Sequence, residues 1–152
     1  MLLTLLSALA LGGAILSEDA ARFDVSGDPL LVTGTVVGTG CSDATRLLTA
    51  RRGGRAVHAH AEPYHELSRE PSLTAEQAAA MGCEASLGRW GVRVAPSGAA
   101  YDALLGIGYQ VQGERPVASV PVLCHHVGYE GGVCLTLAAS SERLVPLFTY
   151  GL

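Results

Sequence analysis

The chain has 152 residues, of which 49% are apolar and 16% charged, and its formal net charge is −4. That length is one domain's worth, and so apolar a composition excludes a disordered chain. No basic cluster exceeds Arg51, Arg52 and Arg55, so the electrostatic footprint of a nucleic-acid binder is missing and a nucleic-acid partner is excluded. Most of the 19 glycines fall between short apolar runs, which favours turns and short strands over long helices. Lys and Asn do not occur, a bias expected of a GC-rich bacterial genome. Tight turns must therefore use Gly, and no N-glycosylation acceptor exists.

Met1 to Leu16 is continuously apolar or small and turns polar at Ser17-Glu18-Asp19. As a helix this run reaches only ~24 Å, short of the ~30 Å of a bilayer core. It fits the apolar part of an export signal, with junctions after Ala14 or Ser17 both tolerable. The expected organisation is a leader over 1–17 and a single domain over 18–152. Once the leader is removed no stable membrane span remains, and the compartment expected is secreted or periplasmic.

The four cysteines, Cys41, Cys83, Cys124 and Cys134, are an even set in an exported chain and point to two disulfides. Three connectivities are possible. Cys41–Cys83 with Cys124–Cys134 is favoured, because the second pair closes a short hairpin. No two cysteines have the close spacing of a zinc site.

Beyond the leader the pattern alternates. Leu31, Thr33, Thr35 and Val37 form one face of a strand that opens at Asp28-Pro29 and stops at Gly38-Thr39-Gly40. Two more strands flank Gly53-Gly54, where both glycines permit a tight hairpin. A two-residue turn sets Arg52 opposite Arg55, Ala50 opposite Val57 and Leu48 opposite Ala59. The other face then carries Thr49 with His58, Leu47 with His60 and Thr45 with Glu62, a mixed and solvated surface. Thr74 and Gln77 form a capping box for a two-turn helix ending at Gly82. Trp90, Val92 and Val94 point inward from the next strand, with Trp90 filling the core. Leu105, Ile107, Tyr109 and Val111 share a face of another. Pro121 marks an edge strand or a bulge, and Pro146 interrupts the last strand. The fold expected is all-β: an antiparallel sandwich of immunoglobulin-like or Greek-key type, with about eight strands and one short connecting helix.

Few residues carry recognisable chemistry. His58-x-His60 places two imidazoles on one side of a strand, and His65 lies past Pro63 on a loop. Together they are a candidate copper or zinc site. "CHHVGYEGGVC" is a candidate contact loop: a disulfide pinning nine residues would present His125, His126, Tyr129 and Glu130 to a partner. Cys124 and His125 do not make a nucleophile–base pair, because strand neighbours point to opposite faces. The expected function is a non-catalytic binding or structural module whose partner is a protein or an envelope component. The alternative is a periplasmic copper- or zinc-binding protein, and a small hydrolase or redox enzyme stands third.

Overall fold

The structure is a computed structural model that describes residues 14–25, 28–41, 43–64, 85–128, 130–138 and 142–152. The helix expected near Thr74 lies outside the described residues, as do Cys83, His65 and Tyr129.

Two antiparallel sheets make up an all-β sandwich. The first contains β1 (Ala14–Val25), β2 (Asp28–Gly38), β3 (Thr45–Arg52) and β4 (Arg55–Pro63), in chain order as a meander. The second is ordered β5-β7-β8-β9-β6, from β5 (Arg93–Pro96), β6 (Gln110–Gln112), β7 (Pro121–Val127), β8 (Gly131–Leu137) and β9 (Leu144–Gly151). In it β7, β8 and β9 form consecutive hairpins while β6 lies beside β9, a Greek-key order. Leu30, Val32, Leu48, Ala50 and Val57 of the first sheet pack against Leu87, Trp90 and Leu123 to form the core between the sheets.

The outer face of the second sheet is covered by α1 (Ser97–Gly106), which seats Ala100 and Leu104 on Val122, Cys124, Cys134, Phe148 and Tyr150. The sequence reading placed a strand across Leu105, Ile107, Tyr109 and Val111; Leu105 instead ends this helix and only Gln110–Gln112 is extended. Ala99-Ala100-Tyr101-Asp102-Ala103-Leu104 is rich in helix formers, and the i, i+4 pair Ala100 and Leu104 supplies the buried stripe. The local Leu-Gly-Ile-Gly-Tyr alternation is the stop signal, with Gly108 at φ 99°.

The strand expected around Trp90 is shorter too. Leu87 to Gly91 turn, through Trp90 N–H to Ser86 O at 3.2 Å and Val92 N–H to Leu87 O at 3.0 Å, and extension begins only at Arg93. Trp90 still fills the core, at 1% exposure. Gly34 makes room for it: a β-carbon there would lie 3.1 Å from the indole nitrogen. Pro121 opens β7, an interior strand whose pairings show no register shift, so neither the expected edge nor the expected bulge is found; the first position of a strand tolerates a missing N–H. Pro146 sits at a register shift of β9 against β8.

Strand β1 begins inside the segment read as a leader, and Ala14 pairs with Gly38. The hydroxyl of Ser17 accepts the Ala85 N–H at 3.0 Å and the carboxylate of Asp19 accepts the Leu87 N–H at 2.9 Å, so β1 anchors the turn that carries Trp90. No helix among the described residues is long and apolar enough to cross a membrane.

Candidate functional site: a polar seam between the sheets

The Gly53-Gly54 turn forms as expected, with φ 55° and 79° and Arg52 opposite Arg55. One residue later the register departs from expectation. Arg51 opposes Ala56 but Ala50 opposes His58, so Val57 is the extra residue of a β-bulge. Everything beyond is displaced by one position. His60 faces Leu48 and Glu62 faces Arg46, where Leu47 and Thr45 were expected. The inward row of β3 is Arg46, Leu48 and Ala50, all buried. His58, His60 and Glu62 therefore point into the sandwich, and the solvated histidine face of the sequence reading is overturned. A one-residue slip exchanges the faces of a strand.

His125 approaches from the second sheet and meets them. It is 0% exposed, and its Nε2 lies 2.9 Å from Nε2 of His58. Its Nδ1 is 2.8 Å from the His126 carbonyl oxygen. A carbonyl only accepts, so Nδ1 carries the proton and donates; Nε2 of the neutral ring then accepts from the His58 Nε2–H. Nε2–H of His60 donates to Glu62 Oε2 at 3.1 Å. The same oxygen accepts the Gly128 N–H at 2.8 Å, and Glu62 Oε1 pairs with Nη2 of Arg46. Gly128 belongs to the β7–β8 turn. Two polar links thus join the sheets, His58 to His125 and Glu62 to Gly128.

Arg46 is 1% exposed, and its guanidinium carbon stands 3.6 Å from the Trp90 ring centroid. The indole meets His60 and His125 edge-on at 6.2 and 6.3 Å. Burial pulls the Arg46 guanidinium down to about 9, which leaves it charged at neutral pH. Burial also lowers all the described imidazoles. His125 falls to about 4, although its bond to the His126 carbonyl works the other way. For His58 the next cause is the His60 charge; for His60 and His126 it is Arg46. The seam is a set of neutral imidazoles around one internal ion pair.

The residues of the expected contact loop are dispersed. Cys124 and Cys134 are bonded, but they sit opposite each other within β7 and β8, and the hairpin continues past them through His125↔Val133 to Val127↔Gly131. The bridge therefore staples two strands and does not pin a nine-residue loop; His125 is internal and is not presented to solvent. His126 is half-buried on the opposite face of β7, with its ring over Gly91 and its Nδ1 3.5 Å from the Tyr150 hydroxyl. Of the candidate contact residues, Glu130 is exposed at the tip. Replacing both cysteines by Ala should lower stability by roughly 2–3 kcal/mol, since the closed loop is short. Urea unfolding of C124A/C134A against the parent chain measures this. Cys41 is also disulfide-bonded, while its favoured partner Cys83 lies outside the described residues.

His58 and His60 of the candidate metal set come together with His125, while His65 lies outside the described residues. Among the described residues, no group of three or more His, Cys, Asp or Glu side chains is placed to hold a metal ion. Arg46, Glu62 and Trp90 escaped the sequence reading as site residues. One signal was present: Arg46 keeps the phase of Leu48 and Ala50, so a charge lies in step with an apolar face. No protein-family model matches the chain, and no curated protein or solved structure is significantly similar to it.

Proposed function

We propose that this chain is an exported, non-catalytic binding module built on a disulfide-stapled sandwich. The observation that carries the reading is that the histidines and the carboxylate of the seam bond to groups inside the protein, although Nε and Nη1 of the buried Arg46 have no hydrogen-bond partner there. Both nitrogens of His125, the Nε2 protons of His58 and His60 and both oxygens of Glu62 have partners inside the protein, and Cys124 is committed to its bridge. Chemistry-bearing groups engaged with one another stabilise an interior and leave little to act on a substrate. Recognition then falls to the two ends of the sandwich, where exposed side chains cluster on turns. One end carries Glu130 and the half-exposed Val127; the other carries the Gly53-Gly54 turn.

Export fits the disulfides, and of the two junctions tolerated by the sequence the fold favours Ala14. Cutting after Ser17 would remove the acceptor of the Ala85 N–H; cutting after Ala14 keeps it. Intact mass of the natively secreted protein, before and after reduction, should report a chain starting at Ile15 with two disulfides. Capture of an envelope component on the immobilised protein should weaken when end residues change and survive His125→Gln. Four free thiols in native material, or a turnover lost in His125→Gln, would overturn the reading.

A copper or zinc protein is the second reading, and one observation favours it: two Nε2 atoms 2.9 Å apart, with the far nitrogen of His125 fixed by a carbonyl, is also how a ligand pair is oriented towards one ion. Titration of the tag-free protein with Zn2+ and Cu2+ separates the two. The binding module takes up neither ion tightly; a metalloprotein binds one equivalent, and His125→Gln abolishes it.

A further inference from the structure

The end of the sandwich farthest from Gly128 contains a cleft of about 580 Å³, lined by Pro29, Arg52, Arg55, Val57, Glu142 and Arg143 among others. Its volume is that of a small-molecule site. Three guanidinium groups and one carboxylate border it.

Two features mark this cleft. Arg52 and Arg55 are direct cross-strand partners at the neck of the hairpin, so the ladder brings two guanidinium side chains to the same rim. Glu142, at the facing turn, has φ 51° and is the one non-glycine residue with positive φ among those described. A left-handed backbone at a residue other than Gly is costly and collects at functional sites. Here it sets the Glu142 carboxylate 2.7 Å from Nη1 of Arg55. Both side chains are largely exposed, so the ion pair itself adds little to stability. It shows instead what the cleft holds: a carboxylate against the Arg55 guanidinium, with Arg143 next in the chain.

We propose that the cleft binds a small polyanion, a solute with clustered carboxylate or phosphate groups, and that the Glu142 carboxylate is a built-in competitor which the ligand displaces from Arg55. Arginine suits this task because its planar fork matches carboxylate and phosphate oxygens two at a time. Pro29, Ala56 and Val57 give the cleft an apolar wall for the body of the ligand. The inference rests on the binding-module reading and gives it a ligand class.

Calorimetric titration with citrate and with pyrophosphate, at low and high NaCl, tests it. The parent chain should bind at least one probe, and whichever binds more tightly identifies carboxylate or phosphate as the preferred group. Glu142→Gln should tighten binding by about threefold or more, and R55Q/R143Q should weaken it by about tenfold or more, with added salt eroding the affinity. R55K/R143K keeps the charge but loses the fork, and should fall between the parent and R55Q/R143Q. The replaced side chains are exposed, and unchanged thermal unfolding confirms folding of each variant. Absence of binding below about 1 mM by both the parent and Glu142→Gln, or equal binding by R55Q/R143Q, would overturn the proposal. Envelope capture that persists in R55Q/R143Q while both anions fail sinks the cleft and leaves the module; anion binding with no captured component does the reverse.

Discussion

Acidification from pH 7 to pH 4 should strip this protein of stability through its interior imidazoles, and His125 should carry the largest single share. The unfolded chain takes up a proton on each histidine near the ordinary value of 6.5, whereas burial holds the folded His125 at about 4. Between those values the unfolded state binds more protons, so stability is fully present above pH 6.5 and declines as the pH falls to 4. For His125 the loss is about 3 kcal/mol at pH 4. His58, His60 and His126 are lowered in the same sense and steepen the decline. The groups facing His125 explain why it resists a proton. His58 and His60 approach from β4, Arg46 adds a cation from β3, and Glu62 is already engaged by Arg46, His60 and Gly128. A proton on Nε2 would also end its role as acceptor for His58. Urea unfolding at pH 7, 6, 5 and 4 reads the effect. His125→Gln, which keeps a hydrogen-bonding group without titrating, should flatten the profile by that amount. An identical pH slope in parent and variant would show that His125 is accessible to protons in the folded state.

Glu62→Ala should be among the most damaging single replacements in the described core, at about 3–5 kcal/mol. It strands the buried Arg46 charge and removes the acceptor of the His60 Nε2–H and the Gly128 N–H at one stroke. Arg46→Met should cost less, about 1–2 kcal/mol, because Glu62 retains two donors and the thioether chain still covers Trp90. The order of the two is the decisive feature, since a simple salt bridge would make them equal. R46M/E62Q should be within about 1 kcal/mol of Arg46→Met, because the two residues share one interaction and their costs do not add. Chemical unfolding at pH 7 measures all three. Equal losses for the two single variants would reduce the seam to a simple salt bridge, and a larger loss for Arg46→Met would show that Arg46, and not the carboxylate, organises it.

The exposed ends respond differently. Changes at Arg55, Glu142 or Arg143 should leave unfolding almost unaltered while moving anion affinity, because the Arg55–Glu142 pair is solvated and Arg143 is exposed. The proposed anion cleft thus lies in a different part of the molecule from the seam that ties the sheets together.

The all-β class, the Gly53-Gly54 turn, the Cys124–Cys134 bridge and the burial of Trp90 are all legible in the chain. Each depends on information carried within a few residues: alternation, a glycine pair, a ten-residue cysteine separation, a lone large aromatic in an apolar run. The inward turn of His58, His60 and Glu62 is not legible. It follows from Val57 occupying a bulge, and an extra residue leaves composition and motif untouched while reversing every later side chain. The meeting of His58 with His125 across 67 positions is likewise decided by how one sheet docks on the other. Local patterning specifies which segments extend and where they turn. Which imidazoles become dry, and which charges they meet, depends on the packing of distant strands, because burial is a property of the assembled layers and not of any one of them.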